Sequence, residues 1–564
     1  MRSAYRIAAL GLAIALGACA SATTTTQSPP PAAASTEFGN YLSARFAASE
    51  HNMKDAARYY RASLDADPDN KDLLALSFFF STSAGEIPDA AKLAERVVAA
   101  QADDRAARLT LAVAALKHRD YAGARKQMSL SAKGPFSSLT VSLIDAWAAA
   151  GQGDKAAGEA ELAALRAQGG ADALAMYHLA LLADFVGDDA LAETSYRNAL
   201  AAGATPRIVD AFGRFLERSG KTQEATALYT RAAQEPGISE VAVAGLDRIK
   251  AHRKPERLIA RAEDGAAEAL FGIAASLTDQ ASADVSILYL RLALYIRPDL
   301  DLGAVLLADR LEGLQKYDDA IDAYASVPKD SPYWRLAAVE IALDLARLDR
   351  TDEAIARLKD LTAAEPADGE AWTALGDTYR SASKFGEAAD AYNHALALRE
   401  GSKSNDWPLY FARAVAEQGT QNWSAAEVDL KKALTLSPNE PTLLNYLGYT
   451  WVDQNRNIPE ALAMLEKARA LKPTDGYIAD SVGWAYYKLG RFADAAKALQ
   501  SAVELVPGDP TINDHFGDAL WRVGRKRDAE FQWNHALAFG PSDADKATIE
   551  KKLKDGLDSG AKPN

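Results

Sequence analysis

The residues able to do chemistry in this 564-residue chain are few and scattered: seven histidines, one cysteine and two short clusters that imitate ligand loops. A helical zinc-protease site needs two histidines one turn apart with a glutamate beside the first. His51, His118, His178, His252, His394, His515 and His535 never come that close. Gly151, Gly153 and Lys155 faintly resemble a dinucleotide loop, but they follow a helical pattern rather than a strand and read as an inter-helix turn. Asp65, Asp67 and Asp69 alternate like calcium ligands, yet the required glycine and closing glutamate are missing, and helix termination with capping accounts for them. Cys19, alone, can form no disulfide within the chain and no thiolate metal centre. There is no nucleophile elbow and no phosphate-binding loop. These residues predict a non-catalytic protein with no metal and no cofactor, whose chemistry is recognition.

The elements that position the recognising residues are set by a period. Small residues recur every 34 positions at Ala56, Ala90 and Ala124, at Ala320, Ala354 and Ala388, and at Ala461, Ala495 and Ala529. Four residues after many of them stands a large side chain (Tyr60, Tyr324, Tyr392, Leu499, Trp533), and often a proline eight further on (Pro68, Pro473, Pro507, Pro541). A second small residue, Gly376, Gly483 or Gly517, precedes the alanine by twelve. Two helices approach closely only through small contact residues, and a proline ends the second of them. Thirty-four is the period that the tetratricopeptide repeat shows, and the chain resembles that family in both step and retinue. The resemblance implies an all-α solenoid of about fourteen helix-turn-helix repeats.

The expected organisation is two superhelical arms, 37–239 and 267–543, with a joint at 240–266 where the step breaks and 251–256 interrupt the helical pattern. A capping helix and tail follow at 544–564, rich in Lys546, Lys551, Lys552 and Lys554. In a tetratricopeptide stack the first helix of each pair lines the concave face. The register then places Asn445, Tyr449, Asp480, Trp484, Tyr487, Asp514, Asp518, Trp521 and Arg522 in a partner-binding groove, with Val452, Asp453 and Lys488 beside them. Trp484 and Trp521 admit a second placement as fillers at repeat junctions, although Tyr486 and Leu520 already hold the adjacent core position. Aspartates and aromatics stand where a carboxylate clamp would carry lysine, asparagine and arginine. The groove therefore suits a basic or apolar protein segment.

Residues 1–18 have a basic start (Arg2, Arg6), an apolar run and small residues before Cys19, the pattern of an export leader too short to span a membrane. Leu16, Gly17, Ala18 and Cys19 resemble the lipobox of bacterial lipoproteins, in which the cysteine is acylated and becomes the first residue. Residues 19–36 then read as an acylated cysteine and an Ala, Thr, Ser and Pro tether. No aspartate follows Cys19, which by the lipoprotein rule implies the periplasmic face of the outer membrane. A net charge of −14 argues against nucleic acid and against an anionic lipid surface, so membrane contact is through the lipid anchor alone.

The blocks starting at Asn445, Asp480 and Asp514 resemble the carboxy-terminal half of large tetratricopeptide lipoproteins of proteobacterial outer membranes. That resemblance implies an adaptor that brings a carboxy-terminal processing protease to cell-wall hydrolase substrates. The alternative reading is a structural subunit of an export or envelope-assembly machine.

Overall fold

A computed structural model describes residues 36–557 apart from 168–171, 236 and 400–402, and among these the regular structure is entirely helical. Cys19, the leader and nearly all of the expected tether lie outside the described residues. Fourteen antiparallel helix pairs run from Glu37–Ser49 with Met53–Ala66 to Pro510–Arg522 with Lys526–Ala538, and a last helix, Asp543–Asp555, follows. The chain is an all-α tetratricopeptide-type solenoid.

The local rules behind the pairing are visible residue by residue. Asp67 closes the helix Met53–Ala66 and accepts from the Asn70 side chain, which itself caps Lys71–Ser83 by accepting from the amides of Asp72 and Leu73, so of the three aspartates Asp67 serves a helix end. Within the pairs, a Cβ at Gly376 would lie 2.5 Å from the Tyr392 ring, one at Gly483 2.5 Å from Leu499, and one at Gly517 2.5 Å from Trp533. The large residue one turn after the alanine thus lies directly on the glycine of the opposing helix. Both members of the motif are needed to close the pair.

The described residues divide into two compact units, 36–357 and 358–557. The division falls inside the helix Thr351–Ala364 and not at the expected joint, 240–266. The reason lies in how the first unit packs. Beyond the unpaired helix Ser239–Lys250, the helix Ala262–Ser276 turns back onto Pro135–Gly151 and Asp172–Val186. The next, Ala283–Ile296, packs on Lys71–Ser83, Ile87–Ala100 and Arg105–Lys117. Most of these partners are the first helices of their pairs, the ones that line a concave face. The first run of repeats is therefore folded around the opening helices of the second.

Ala262–Ser276 can occupy that position because it is rich in alanine and glycine and buried on nearly every side. A Cβ at Gly265 would meet the Trp147 ring at 2.2 Å, so the indole lies flush on bare backbone. Two glutamates enter with the helix, each with its partners. Glu268 accepts from Arg207 through two hydrogen bonds and from the Tyr177 hydroxyl at 3.0 Å. Glu263 accepts from Arg119 at 3.0 Å and from Tyr121 at 2.7 Å. Burial opposes ionisation of Glu268, but the Arg207 guanidinium outweighs it and holds the carboxyl below its ordinary value. Burial, reinforced by Glu263, pushes the Tyr121 phenol up to about 12.

The same core contains His178, whose Nδ1 accepts from the Trp147 indole at 3.1 Å. Burial pushes its pKa down to about 4 from an ordinary 6.5. The unfolded chain thus binds this proton between those values while the folded chain does not, so stability rises with pH across the window. The contribution is complete above pH 6.5 and is lost as pH falls toward 4, with a slope of at most about 1.4 kcal/mol per pH unit. In thermal melts from pH 7 to 4.5, His178→Gln, which retains an acceptor for Trp147, is expected to flatten this acid limb.

Candidate functional site

In the second unit the first helices of three successive pairs, Pro441–Asp453, Gly476–Lys488 and Pro510–Arg522, place side chains at corresponding positions. Tyr449, Trp484 and Asp518 stand one residue after Gly448, Gly483 and Gly517, the small residues that seat each helix on its partner. Tyr449, Trp484, Asp514, Trp521 and Arg522 are half-buried, whereas Asn445, Asp480, Tyr487 and Asp518 are buried. The nine residues therefore split into an accessible aromatic surface and a polar layer beneath it.

Trp484 is the centre of the surface. Its ring stacks on Tyr487 at 4.9 Å with planes 4° apart and on His515 at 4.0 Å with planes 12° apart, and the Lys488 ammonium lies 5.2 Å from the indole centroid. The indole is at once wall and packing element, which unites the two placements that the sequence left open. Trp521 is similarly double. It leans on the fully buried Trp533 at 5.3 Å, lies beneath Gly556 and carries the Lys526 ammonium at 4.8 Å. Arg522 donates to the Tyr487 hydroxyl at 3.3 Å, linking two repeats.

The polar layer corrects the picture of an acidic groove. Asp480 pairs with His515 Nδ1 at 3.0 Å, while Asp514 and Asp518 both accept from Lys552 at 2.7 to 2.9 Å. Asp518 also accepts from the Trp533 indole at 3.0 Å. Burial opposes a charged His515, but Asp480 outweighs it and raises its pKa; burial also pushes Asp518 up to about 6 against the pull of Lys552. These carboxylates are already matched by cations of the chain itself, so they leave little unanswered charge for a basic ligand. Asn445 is different, because its buried Oδ1 has no hydrogen-bond partner.

Lys552 belongs to the terminal helix Asp543–Asp555, whose only buried residue is Ile549. It stands 34 residues after Asp518, which stands 34 after Trp484, so the terminal helix repeats the register of a first helix rather than forming an unrelated cap. That step would have identified Lys552 from sequence. Its lysine-rich surroundings predict a polar capping helix, without naming Lys552 as the partner of Asp514 and Asp518. Trp451 and Trp533 are core, and Trp372 is half-buried, stacked on His394 at 4.2 Å.

A family profile described as tetratricopeptide repeat matches residues 83–137, 339–404, 452–510 and 481–545. Those segments are tetratricopeptide repeats. The TPR repeat-containing protein PA4667 of Pseudomonas aeruginosa is 34% identical over 105 residues, which is 18% of this chain and 18% of that protein. Cytochrome c-type biogenesis protein CycH of Rhizobium meliloti is 30% identical over 121 residues, 22% of this chain and 31% of that one. The matches thus span less than a third of either relative. Among solved structures, the Cut9–Hcn1 hetero-tetramer of the APC/C has a TM-score of 0.38 at 15% identity, covering 93% of this chain and 97% of that one. PilF of Pseudomonas aeruginosa has a TM-score of 0.29 at 20% identity, covering 33% and 82%. Tetratricopeptide repeats stack helices into extended surfaces of the kind that hold other proteins.

Proposed function

We propose that the chain is a non-catalytic scaffold, anchored through acylated Cys19 at the periplasmic face of the outer membrane, whose second unit captures a protein partner on the surface formed by Tyr449, Trp484 and Arg522. The observation that carries the reading is the half-buried aromatic strip over a charge-matched layer. Trp, Tyr and Arg dominate binding energy where they can be desolvated against a partner. Because Lys552 and His515 already answer the aspartates, the strip suits an apolar or aromatic segment better than a strongly basic one. The lipobox-like residues before Cys19 support the address. The resemblance of the repeats that start at Asn445, Asp480 and Asp514 supports a carboxy-terminal processing protease and cell-wall hydrolases as the clients. Two clients on one solenoid would meet by effective concentration, with no chemistry from the scaffold.

Crosslinking in intact cells followed by purification of the chain tests this. Co-recovery of a protease with cell-wall hydrolases is the expected result. Recovery of channel or synthase subunits instead would overturn it in favour of an export or envelope-assembly role.

A further inference from the structure

The first helix among the described residues, Glu37–Ser49, has one face in the core and one that no other described residue covers. Asn40, Ala44 and Ala47 are buried in the first pair, whereas Phe38 is 70% exposed, Leu42 49% and Phe46 69%. The three are spaced by four residues and form one apolar stripe along the helix. At the other end of the chain the terminal helix presents Lys546, Glu550 and Lys551 to water, so an apolar end is not a general feature of this solenoid. Single exposed apolar residues need no explanation, but three large ones aligned on a terminal helix do.

We infer that the Phe38, Leu42 and Phe46 face is a second membrane contact, seated on a lipid surface beside the acyl anchor. The inference rests on the proposed acylation of Cys19 for its setting. The chain between that cysteine and the helix is short and contains no large apolar residue able to cover the stripe; residues 20–35 are Ala, Thr, Ser, Pro and one Gln. Sixteen such residues have a mean span of roughly 20 to 25 Å, which keeps the helix close to whatever surface holds the lipid. The stripe is a single line of three side chains. A stable protein interface needs about 800 Å² and some 20 to 30 residues on each side. Three aromatic or aliphatic side chains beside an existing anchor are enough for an interfacial helix.

Charge permits the contact as well. The whole chain carries −14, but the first pair, from Glu37 to Ala66, has four acidic residues (Glu37, Glu50, Asp55, Asp65) and four basic ones (Arg45, Lys54, Arg58, Arg61). The end nearest the anchor thus carries no net charge for a lipid surface to repel. The acyl chains supply most of the affinity and the helix face adds its own. The helix supplies orientation, fixing how the first repeat stands on the membrane.

The test uses the chain from residue 19 onward with Cys19→Ser, so that no acyl group is present, and zwitterionic phosphatidylcholine and phosphatidylethanolamine vesicles. The expected result is co-sedimentation with vesicles, weakened about tenfold or more by Phe38→Asp combined with Phe46→Asp at unchanged thermal melt. A Leu42→Trp reporter is expected to shift to the blue on vesicle addition and to be quenched by brominated acyl chains. Absence of vesicle binding, or binding indifferent to the paired substitution, overturns the inference. So does a vesicle-independent blue shift with self-association abolished by the same pair, which would assign the face to a second copy. Palmitate labelling in cells tests Cys19 separately: failure there removes the anchor, while the vesicle result still decides the helix.

Discussion

Glu268→Ala is expected to destabilise the first unit by about 3 to 5 kcal/mol, the range seen when one partner of a buried ion pair is removed. The cost comes less from the lost attraction than from what is left behind. Arg207 is buried and donates to Glu268 twice, and Tyr177 donates to the same carboxylate. Without Glu268 a guanidinium stays in the core with no counter-charge, and guanidinium cannot shed its proton to escape. Replacing both members, with Glu268→Leu and Arg207→Met, is expected to recover most of the loss, because matched apolar side chains carry no desolvation penalty. Denaturant unfolding measures the difference. Hydrogen exchange localises it, with lost protection expected in Pro135–Gly151, Asp172–Val186 and Ala262–Ser276, the helices brought together there. If the single variant unfolds no more easily than the parent, the account of the first unit as repeats closed around their own chain fails.

That closure shows where sequence reasoning reached and where it stopped. Contacts within a pair are local and periodic. Gly376 and Tyr392 could be placed against one another by counting, and they are. The contact of Glu268 with Arg207 spans 61 residues and that of Tyr121 with Glu263 spans 142, and neither distance is a multiple of the repeat. Nothing in a period announces such partners. The break near residue 251 therefore looked like a joint between arms, when the chain there turns back to fill a concave face. A trace was available: Ala262–Ser276 carries apolar or small residues on all sides, which a groove-lining helix with one free face does not require. In the second unit the register correctly set Tyr449, Trp484 and Asp518 at equivalent positions, because that too is counting. The pairing of Asp514 and Asp518 with Lys552 was missed, since net composition made the aspartates look like free charge.

Trp484→Ala is expected to weaken partner capture by about 2 kcal/mol or more, some thirtyfold, as the loss of an aromatic anchor at the centre of a contact surface does. The stacking geometry adds a consequence that an isolated surface residue would not have. The indole lies between Tyr487 and His515, so its removal also takes away two ring contacts, each worth about 0.5 to 1.5 kcal/mol beyond area, and uncovers the Asp480–His515 pair. A lowered melting temperature is therefore expected alongside the lost capture, and the two effects have to be separated. Trp484→Phe does so. It keeps an aromatic ring between Tyr487 and His515 but gives up part of the indole face that a bound segment would cover, and with it the Nε1, which is buried without a hydrogen-bond partner among the described residues. A near-parental melt with capture still reduced assigns the indole to recognition. Full capture by the phenylalanine variant would mean that the ring only props the surface, leaving Tyr449 and Arg522 as the residues that touch the partner.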